Sequence, residues 1–577
     1  MTRRLIRCAA LFFIMVPEVT NGSVAVDVRI EGIGNEQVDS VRASLSLVRQ
    51  KDHPLLTEAL LQRLHRLAPS EIGKALEPFG YYNAKVDSTL TKEGEGWRAM
   101  YRIDLGSPVR VTAVELEIRG IGATDQRLLE WKQQFPMKQG DVLHQGQYEE
   151  AKRALLNIAR ETGYFDGDFT KREIRINNNE TTARISLQFE TGPRFRLGEV
   201  RFKQNAFDES FLRRFVTFSI NDPFDGKTLT VLQTSLIDSG YFQRVEVRPI
   251  DDAIVDTRVP IEVSLDPRKP KRYTFGAGFG TDTGPRGTVG FEHRHLNRRG
   301  HRLGATLALS AIKSEFGTRY RVPLLRPATD QLIYALSLVD EDSDSRRRQT
   351  SSIGVNFTHK IGRWQRTAGI DIERERFDLD QKQETTQLLI PKLSWQRANV
   401  DNPLNPRRGW RINTETRGAA ESLLSDTSFL QLLFRGKSIY PLGSGRLLAR
   451  GEIGATSVTD FSRLPPSLRM FTGGDNSVRG YKFDSLGPRN EEGQIVGGQN
   501  LFVASLEYEH PIRQNMALAA FIDVGDAFNS SSVKLNRGAG IGMRWALPFG
   551  ALRIDLAAGL DRPGNPLRLH INLGPDL

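Results

Sequence analysis

The sequence has almost no cysteine. Cys8 is the only one among 577 residues, and it lies in a short apolar core, residues 8–16, that follows a basic start and precedes small or polar residues. This arrangement is typical of an export signal. We therefore expect residues 1–22 to be a signal peptide that is removed, so that the exported chain has neither a disulfide nor thiolate chemistry.

Long apolar runs are also missing. No stretch approaches the roughly 20 consecutive apolar residues that a membrane-spanning helix needs. Because only helices and closed barrels satisfy the hydrogen bonds of the backbone in lipid, an exported chain of this kind is either soluble or a β-barrel.

Sequence motifs of the common enzyme classes do not occur. There is no nucleophile elbow, zinc-binding helix or Cys–His pair. The alternate glycines of Gly276 to Gly280 lie in a strand pattern with no following helix, so they do not form a phosphate loop. His293 and His295 share a strand face without the further ligand that a metal site requires. We expect a protein that is not an enzyme and that binds no metal and no cofactor.

The charge is basic, with a formal net charge of +11 and a pI of about 9.6. The basic residues are scattered, and the densest groups are Arg346 to Arg348 and Arg407 to Arg408. Neither group stands among stacking aromatics on a nucleic-acid module. Contact with anionic outer-membrane lipid is the better interpretation, and we expect no nucleic-acid partner.

A Gly-aromatic motif recurs in the first half of the chain, at intervals of 83 and 77 residues. Its three copies are Gly80-Tyr81, Gly163-Tyr164 and Gly240-Tyr241. Each copy follows a helical pattern and precedes strand-like alternation. We interpret the glycine as the end of a helix in the left-handed conformation, and the aromatic pair as the opening of a strand.

The repeat predicts three units of order β-α-α-β-β. They resemble the POTRA domain, in which two helices cover one face of a short sheet; the alternative is an ordinary α+β domain with chance Gly-Tyr pairs. The expected boundaries are 23–106, 107–191 and 192–266. The resemblance implies an exposed sheet edge at which an extended client can add a strand.

From Lys271 onward the helical period gives way to alternation between an apolar face and a polar, glycine-rich face. Tyr273 and Phe275 begin this pattern, and it is clearest in the last 30 residues. Strands near ten residues with one apolar face predict a transmembrane antiparallel β-barrel over residues 267–577, with a soluble sandwich as the alternative. At about 19 residues per strand and loop, the region accommodates roughly sixteen strands.

Two segments near the C-terminus carry a more specific resemblance. The first runs from Phe471 to Tyr481 and contains, in this order, Gly473, Gly474, Val478, Arg479, Gly480 and Tyr481. The second is Phe521-Ile522-Asp523-Val524-Gly525-Asp526. Together they resemble the hallmark of the POTRA-barrel superfamily, which includes BamA, TamA and the two-partner secretion exporters. The resemblance implies a long extracellular loop folded into the lumen, with its arginine against the acidic residue of the strand.

Strand alternation supports this pairing independently. If Ile522 and Val524 face lipid, then Phe521, Asp523 and Gly525 face the lumen. Asp523 is therefore an inward carboxylate, and Arg479 is its expected partner. We expect this pair to lock the inserted loop, with Gly480 permitting the tight tip and Gly525 leaving room for it. The alternative is that Arg479 is a solvated cation of the loop and that Asp523 is an unrelated charge in the lumen.

Within the superfamily the chain is most similar to TamA, since three POTRA units directly follow the signal. The resemblance implies a large TamB-like partner anchored in the inner membrane and bound through POTRA1, unfolded outer-membrane clients, and a weak seam between the first and last strands. The residues assigned to that seam are Tyr273, Phe275, Leu569, Ile571 and Gly574. Because Pro575 cannot donate a hydrogen bond, the last strand should pair poorly with the first beyond Leu573.

The function expected from this resemblance is insertion or translocation of β-barrel proteins such as autotransporters, in the outer membrane of a Gram-negative bacterium with the POTRA units in the periplasm. Client hairpins would pair with the edges of the seam. A two-partner secretion exporter and the docking end of a periplasm-spanning lipid-transfer complex remain the alternatives.

Overall fold

The structure of the chain, a computed structural model, contains helices and strands in its first half and mainly strands in its second. It describes residues 24–250, 254–344, 346–379, 382–402, 406–529, 533–547, 550–564 and 566–574. The expected signal peptide, residues 1–22, and Pro575 lie outside the described residues. Within the described ranges, no helix has the length and apolar character needed to cross a membrane.

Each repeat unit places its helices after its first strand. The first unit consists of β1 Val26–Glu31, α1 Asn35–Ser44, α2 Ser46–Gln50, α3 Glu58–Leu76, β2 Lys85–Glu93 and β3 Gly96–Asp104. The second consists of β4 Arg110–Arg119, α4 Gln126–Gln133, α5 Gln145–Glu161, β5 Asp168–Asn177 and β6 Thr182–Glu190. The third consists of β7 Arg196–Lys203, α6 Glu209–Leu212, α7 Gly226–Asp238, β8 Phe242–Pro249 and β9 Arg258–Pro267. The predicted order is confirmed, with the short α2 as an addition in the first unit.

The last strand of each unit is the central strand of its sheet. The three orders are β1-β3-β2, β4-β6-β5 and β7-β9-β8. In the first two sheets the first strand runs parallel to the centre and the second runs antiparallel. The long helix covers one face: α3 buries Leu61, Leu64, Ala68 and Ile72, a helical spacing, in the same core as Tyr101 of β3.

The three Gly-aromatic motifs lie where one unit meets the next. Gly80, Gly163 and Gly240 have φ of 84°, 89° and 73°, the left-handed conformation predicted for them. The carbonyl of Gly80 accepts the N–H of Val109 at 2.8 Å, and that of Gly163 accepts the N–H of Phe195 at 2.7 Å. Each donor immediately precedes the first strand of the following unit, so the motif forms the joint between units.

The rings of the motif differ in role from the prediction. Tyr164 and Tyr241 are buried, and Tyr81 is partly buried against the first core. Only the third copy opens a strand directly; β2 and β5 begin five residues after their glycines. The interpretation of the aromatic pair as a strand opening is therefore wrong for the first two copies, because the backbone there first turns to meet the next unit.

The second half forms one closed antiparallel barrel of sixteen strands, as predicted. Its strands are β10 Lys271–Gly280, β11 Gly284–His293, β12 Arg302–Ser310, β13 Lys313–Pro323, β14 Asp330–Ser343, β15 Arg346–Ile361, β16 Trp364–Leu379, β17 Lys382–Val400, β18 Gly409–Ala419, β19 Phe429–Leu442, β20 Gly445–Val458, β21 Asn500–Arg513, β22 Met516–Phe528, β23 Asn536–Leu547, β24 Gly550–Gly559 and β25 Leu567–Gly574. We call the end where β10 begins, after the third unit, the near end, and the end where β10 finishes the far end.

Alternation separates the outer wall from the lumen. On β22, Leu518 and Ile522 are 53% and 50% exposed on the outside, whereas Phe521 and Asp523 are buried inside. Basic residues follow the same rule. Arg346 and Arg348 point inward and pair with Glu341, so their dense charge is not available for anionic lipid. Of this group, only Arg347 is largely exposed.

Candidate functional site: the lumen loop and the strand seam

The segment between β20 and β21, residues 459–499, turns back from the far end into the lumen; we call it the lumen loop. Its tip, residues 473–481, begins at Gly473 and Gly474 and contains most of the loop residues predicted from the sequence. The N–H of Gly474 donates to the carbonyl of Val478 at 3.2 Å, which closes the turn. Val478 and Tyr481 are buried, so the tip is packed against the barrel wall and not in free solvent.

Arg479 at the tip meets Asp523 on β22, as the alternation predicted. Arg479 Nε lies 2.7 Å from Asp523 Oδ2, and Nη2 lies 2.9 Å from Oδ1. The backbone N–H of Arg479 also donates to Oδ2 at 3.1 Å. The two side chains are 6% and 0% exposed. This is a two-pronged, buried contact of the kind that guanidinium geometry favours.

Two further carboxylates surround the same guanidinium. Arg479 Nη1 lies 2.6 Å from Glu507 of β21 and 3.2 Å from Asp555 of β24. Arg544 of β23 pairs with both of these carboxylates, at 2.7 and 2.5 Å. Three carboxylates and two arginines therefore form one network across four strands. Removal of Arg479 leaves three buried carboxylates with one cation between them.

The remaining predicted residues shape the space around Arg479. The guanidinium carbon stands 3.4 Å from the ring centre of Phe521, a cation–π contact. Gly480 has φ of 92°, and a Cβ there would lie 2.6 Å from the backbone of β24, so the tip can approach the wall only with glycine. A Cβ on Gly525 would lie 3.1 Å from Val478. The hydroxyl of Tyr481 donates to the carbonyl of Arg537 at 3.3 Å.

The lumen loop is also attached to the opposite wall. The N–H of Ser467 donates to Glu375 of β16 at 3.1 Å. Asp484 pairs with Arg346 of β15 at 2.9 Å, and burial raises the pKa of the Asp484 carboxyl to about 6. The loop therefore spans the lumen between two groups of strands, β14–β16 and β21–β24.

The tip reaches both strands that close the barrel. The N–H of Asp475 donates to Asp282, in the turn between β10 and β11, at 2.5 Å. Asp475 Oδ1 lies 2.5 Å from Nδ1 of His570 on β25, and the N–H of Gly480 donates to Nε2 of the same ring at 2.9 Å. Burial raises the pKa of the Asp282 carboxyl above its usual value.

The seam between β10 and β25 is paired over a very short length. β10 pairs with β11 along its whole length, but with the described residues of β25 it has a single ladder pair, Gly280 with Asn572. Beside it, the N–H of Thr281 donates to the carbonyl of Ile571 at 3.0 Å. Arg286 Nη2 donates to the carbonyl of Leu573 at 3.3 Å. These contacts lie at the end of β10 and in the last described residues of β25.

The predicted seam residues divide accordingly. Ile571 is at the paired end, and Leu569 lies on the same outer face of β25. Gly574 pairs with Ala551 of β24. Tyr273 and Phe275, which are 61% and 77% exposed, lie on the near part of β10, where no partner exists in the described part of β25.

Several residues of the site were not predicted. They are Asp282, Arg450, Asp475, Glu507, Arg544, Asp555 and His570. Arg450 of β20, for example, donates to the carbonyls of Asn476 and Ser477 at 2.5 and 2.7 Å and so positions the tip. Asp475 lies within the loop motif 471–481 and Asp282 in the turn after β10. For the other five residues, the sequence signal was a polar residue on the lumen face of a strand, which many other residues share.

Comparison with known families agrees with this architecture. Residues 296–576 match the Omp85 superfamily domain. Residues 27–105 match the first POTRA domain of TamA, and residues 115–192 and 195–268 each match a POTRA repeat described as the surface antigen variable number repeat.

Similar individual proteins are outer-membrane assembly factors named BamA. The chain is 23% identical to BamA of Nitratidesulfovibrio vulgaris over 388 residues, which cover 63% of this chain and 48% of that protein, so it spans about half the length of this curated relative. It is 20% identical to BamA of Neorickettsia risticii over 83% of this chain and 68% of that one. The crystal structure of Haemophilus ducreyi BamA lacking POTRA domains 1–3 has the same fold, with a TM-score of 0.68 and 17% identity over 80% of this chain and 99% of that chain.

The near end of the barrel is thus its periplasmic end and the far end its extracellular end. The barrel half of the chain matches the Omp85 superfamily domain and the first half matches POTRA domains. The sixteen-strand barrel lies in the outer membrane of a Gram-negative bacterium, with the three POTRA domains in the periplasm.

Proposed function

We propose that the protein is an outer-membrane assembly factor of the TamA type, which helps β-barrel clients such as autotransporters to insert into or cross the outer membrane. The observation that carries the proposal is the seam. In the part of the chain that the structure describes, the ladder between the first and last barrel strands has one pair, Gly280 with Asn572, at the end of β10. The periplasmic part of β10 has no ladder partner among the described residues of β25, on the side from which exported clients arrive.

An unpaired strand edge is a template for another strand. Main-chain hydrogen bonds supply the affinity in such strand addition, so one edge serves clients of many sequences. The POTRA sheets offer further edges, because β1 and β2 flank β3 and the other units repeat this order. A client would therefore move from a POTRA edge to the edge of β10, and its own folding would supply the free energy.

The seam role is tested with a disulfide between Gly280→Cys and Asn572→Cys. Residues directly opposite in an antiparallel ladder have Cα atoms about 4.5–5.5 Å apart, within disulfide range. The matched control joins Thr288→Cys and Ala308→Cys, an opposed pair on β11 and β12, which do not separate. Client insertion into proteoliposomes should stop when the seam pair is oxidised and recover on reduction. Equal insertion by the oxidised seam and control proteins would refute the proposal.

The TamA assignment is supported by the match of residues 27–105 to the first POTRA domain of TamA. A TamB-like partner, large and anchored in the inner membrane, would then bind through POTRA1. Affinity purification from crosslinked native membranes tests this. The account expects such a partner to be recovered with the whole chain and lost on deletion of residues 24–106. Recovery of outer-membrane lipoproteins would indicate a BamA-like complex, and a single secreted substrate would indicate an exporter.

We also propose that the protein has no enzymatic activity. The titratable side chains gathered at Arg479 are engaged in ion pairs with one another. They stabilise the position of the lumen loop, which is a structural role. Hydrolysis of a substrate by the purified protein, lost in an Arg479→Ala variant, would contradict this.

A further inference from the structure

We propose that the tip of the lumen loop is a latch across the seam. Asp475 joins the turn after the first strand, at Asp282, to the last strand, at His570. The seam therefore opens at its paired point, Gly280 with Asn572, only when the tip is released. The latch rests on the proposed function, because it concerns the regulation of the same seam. The contacts that form the latch do not involve a client protein.

The first half of the latch is a reciprocal contact between two aspartates. The N–H of Asp475 donates to Oδ2 of Asp282 at 2.5 Å, and the N–H of Asp282 faces Oδ2 of Asp475 at 3.4 Å. Each carboxylate thus receives a main-chain donor of the other segment, in the manner of a capping box. The contact holds the tip to the hairpin of β10 and β11.

The second half joins the tip to β25. The N–H of Gly480 donates to His570 Nε2 at 2.9 Å, so Nε2 carries the lone pair and Nδ1 carries the proton. Nδ1 then donates to Asp475 Oδ1 at 2.5 Å. The two side chains are 2% and 4% exposed. At this burial the hydrogen bonds are strengthened by the low local dielectric, and unpaired partners are costly.

These contacts act in addition to the direct contacts between the two strands. Separation of β10 from β25 moves Asp282 away from His570, and Asp475 cannot follow both. The ladder offers one pair of residues at this point. Other direct contacts across it join Thr281 to Ile571, Arg286 to Asn572 and Leu573, and Arg568 to Asp282 at 3.5 Å. The latch therefore adds a buried, charge-assisted link to the direct contacts that keep the seam closed.

The latch is coupled to the arginine network, because Gly480 directly follows Arg479. Withdrawal of the tip breaks the contact with His570 and the contact with Asp523 together. Release of the loop and opening of the seam are consequently one event.

A metal ion is a less suitable interpretation of the same cluster. Ligand atoms of Asp282, Asp475 and His570 lie within 4.8 Å of one another. However, both nitrogens of His570 are engaged, one as donor and one as acceptor, and the guanidinium of Arg568 stands beside Asp282. The arrangement matches a hydrogen-bonded latch without a cation.

Hydrogen exchange of the complete protein in lipid nanodiscs, without client, tests the latch. The readout is amide exchange in residues 271–283 and 567–574. Asp475→Ala and His570→Ala should accelerate it about ten- to hundredfold, the equivalent of one or more lost charge-assisted hydrogen bonds. Asp475→Asn keeps an oxygen for His570 and should show a much smaller effect. The control is Asp342→Ala, since Asp342 is an exposed carboxylate at the β14–β15 hairpin that is 3.7 Å from Arg347.

Heat-modifiable mobility on gels confirms in each variant that the barrel has folded. Acceleration confined to the two seam segments, with Asp342→Ala unchanged, supports the latch. Unchanged seam exchange in folded Asp475→Ala and His570→Ala proteins overturns it, whatever their activity. A third outcome separates the two proposals. If seam exchange accelerates in these variants but the protein with the oxidised Gly280→Cys and Asn572→Cys pair still inserts clients normally, the latch is supported and the proposed function is refuted.

Discussion

Replacement of Arg479 by alanine removes the cation on which three carboxylates converge. Asp523 is then left with the hydroxyl of Ser505 at 2.6 Å and the backbone N–H of residue 479 at 3.1 Å. Glu507 and Asp555 keep Arg544, at 2.7 and 2.5 Å. The variant therefore buries the Asp523 carboxylate without its ion-pair partner whenever the loop is docked.

The magnitude follows from burial. Because the side chains of Arg479 and Asp523 are 6% and 0% exposed, solvent screening is small. Breaking such a buried pair from one side costs about 3–5 kcal/mol. At about 1.4 kcal/mol per factor of ten, the docked loop becomes less favoured by roughly two to four orders of magnitude. Asp523→Ala should cost less, about 1.5–3 kcal/mol, because Arg479 keeps Glu507 and Asp555.

Tryptic cleavage after Lys482, just beyond the tip, measures this equilibrium, because slow cleavage reports the population of the open form. We expect the cleavage rate to rise in the order wild type, Asp523→Ala, Arg479→Ala. The control is Arg435→Ala, since Arg435 is a lumen arginine whose 2.6 Å ion pair with Glu452 lies on the strands and not on the loop. If Arg479→Ala were cleaved no faster than Arg435→Ala, the loop would not be held by this network.

Three other variants test the joints and the tip. Gly163→Ala should lower the melting temperature of the POTRA region more than Gly240→Ala does. Both glycines have positive φ. However, an added Cβ at Gly163 would lie 2.9 Å from the next unit, whereas one at Gly240 would lie 3.8 Å from its nearest neighbour. Tyr241→Phe removes the 2.5 Å hydrogen bond to the carbonyl of Gly300 and should lower the free energy of unfolding by about 0.5–1.5 kcal/mol, measured by chemical denaturation. Gly480→Ala should expose the lumen loop to trypsin, since its Cβ would lie 2.6 Å from the strand behind it; protection equal to wild type would contradict the close approach.

The sequence was sufficient for the features that depend on local periodicity. The period of two assigns Asp523 to the lumen, because its neighbours on β22 form an apolar outer face. Helical spacing and a following glycine located the ends of α3, α5 and α7, where Gly80, Gly163 and Gly240 all have positive φ. These inferences need only a few adjacent residues each.

The rest of the site depends on strand register and on contacts over long separations. Glu507 and Asp555 come to Arg479 from strands whose relative stagger is fixed by the closure of the whole barrel. Asp282 and His570 are 288 residues apart in sequence, yet both meet Asp475. Alternation identifies each of them as a lumen or turn residue but gives no means to rank them above the other polar residues of the lumen.

Site-specific photocrosslinking during client assembly tests the central claim most directly. Benzoylphenylalanine at Phe275 lies on the periplasmic part of β10, which has no partner in the described part of β25. The same group at Tyr334 of β14, an outward aromatic on a strand paired on both sides, is the control. The account predicts that client is captured at Phe275 and not at Tyr334. Equal capture at both positions, or none at Phe275 while clients assemble normally, would contradict it.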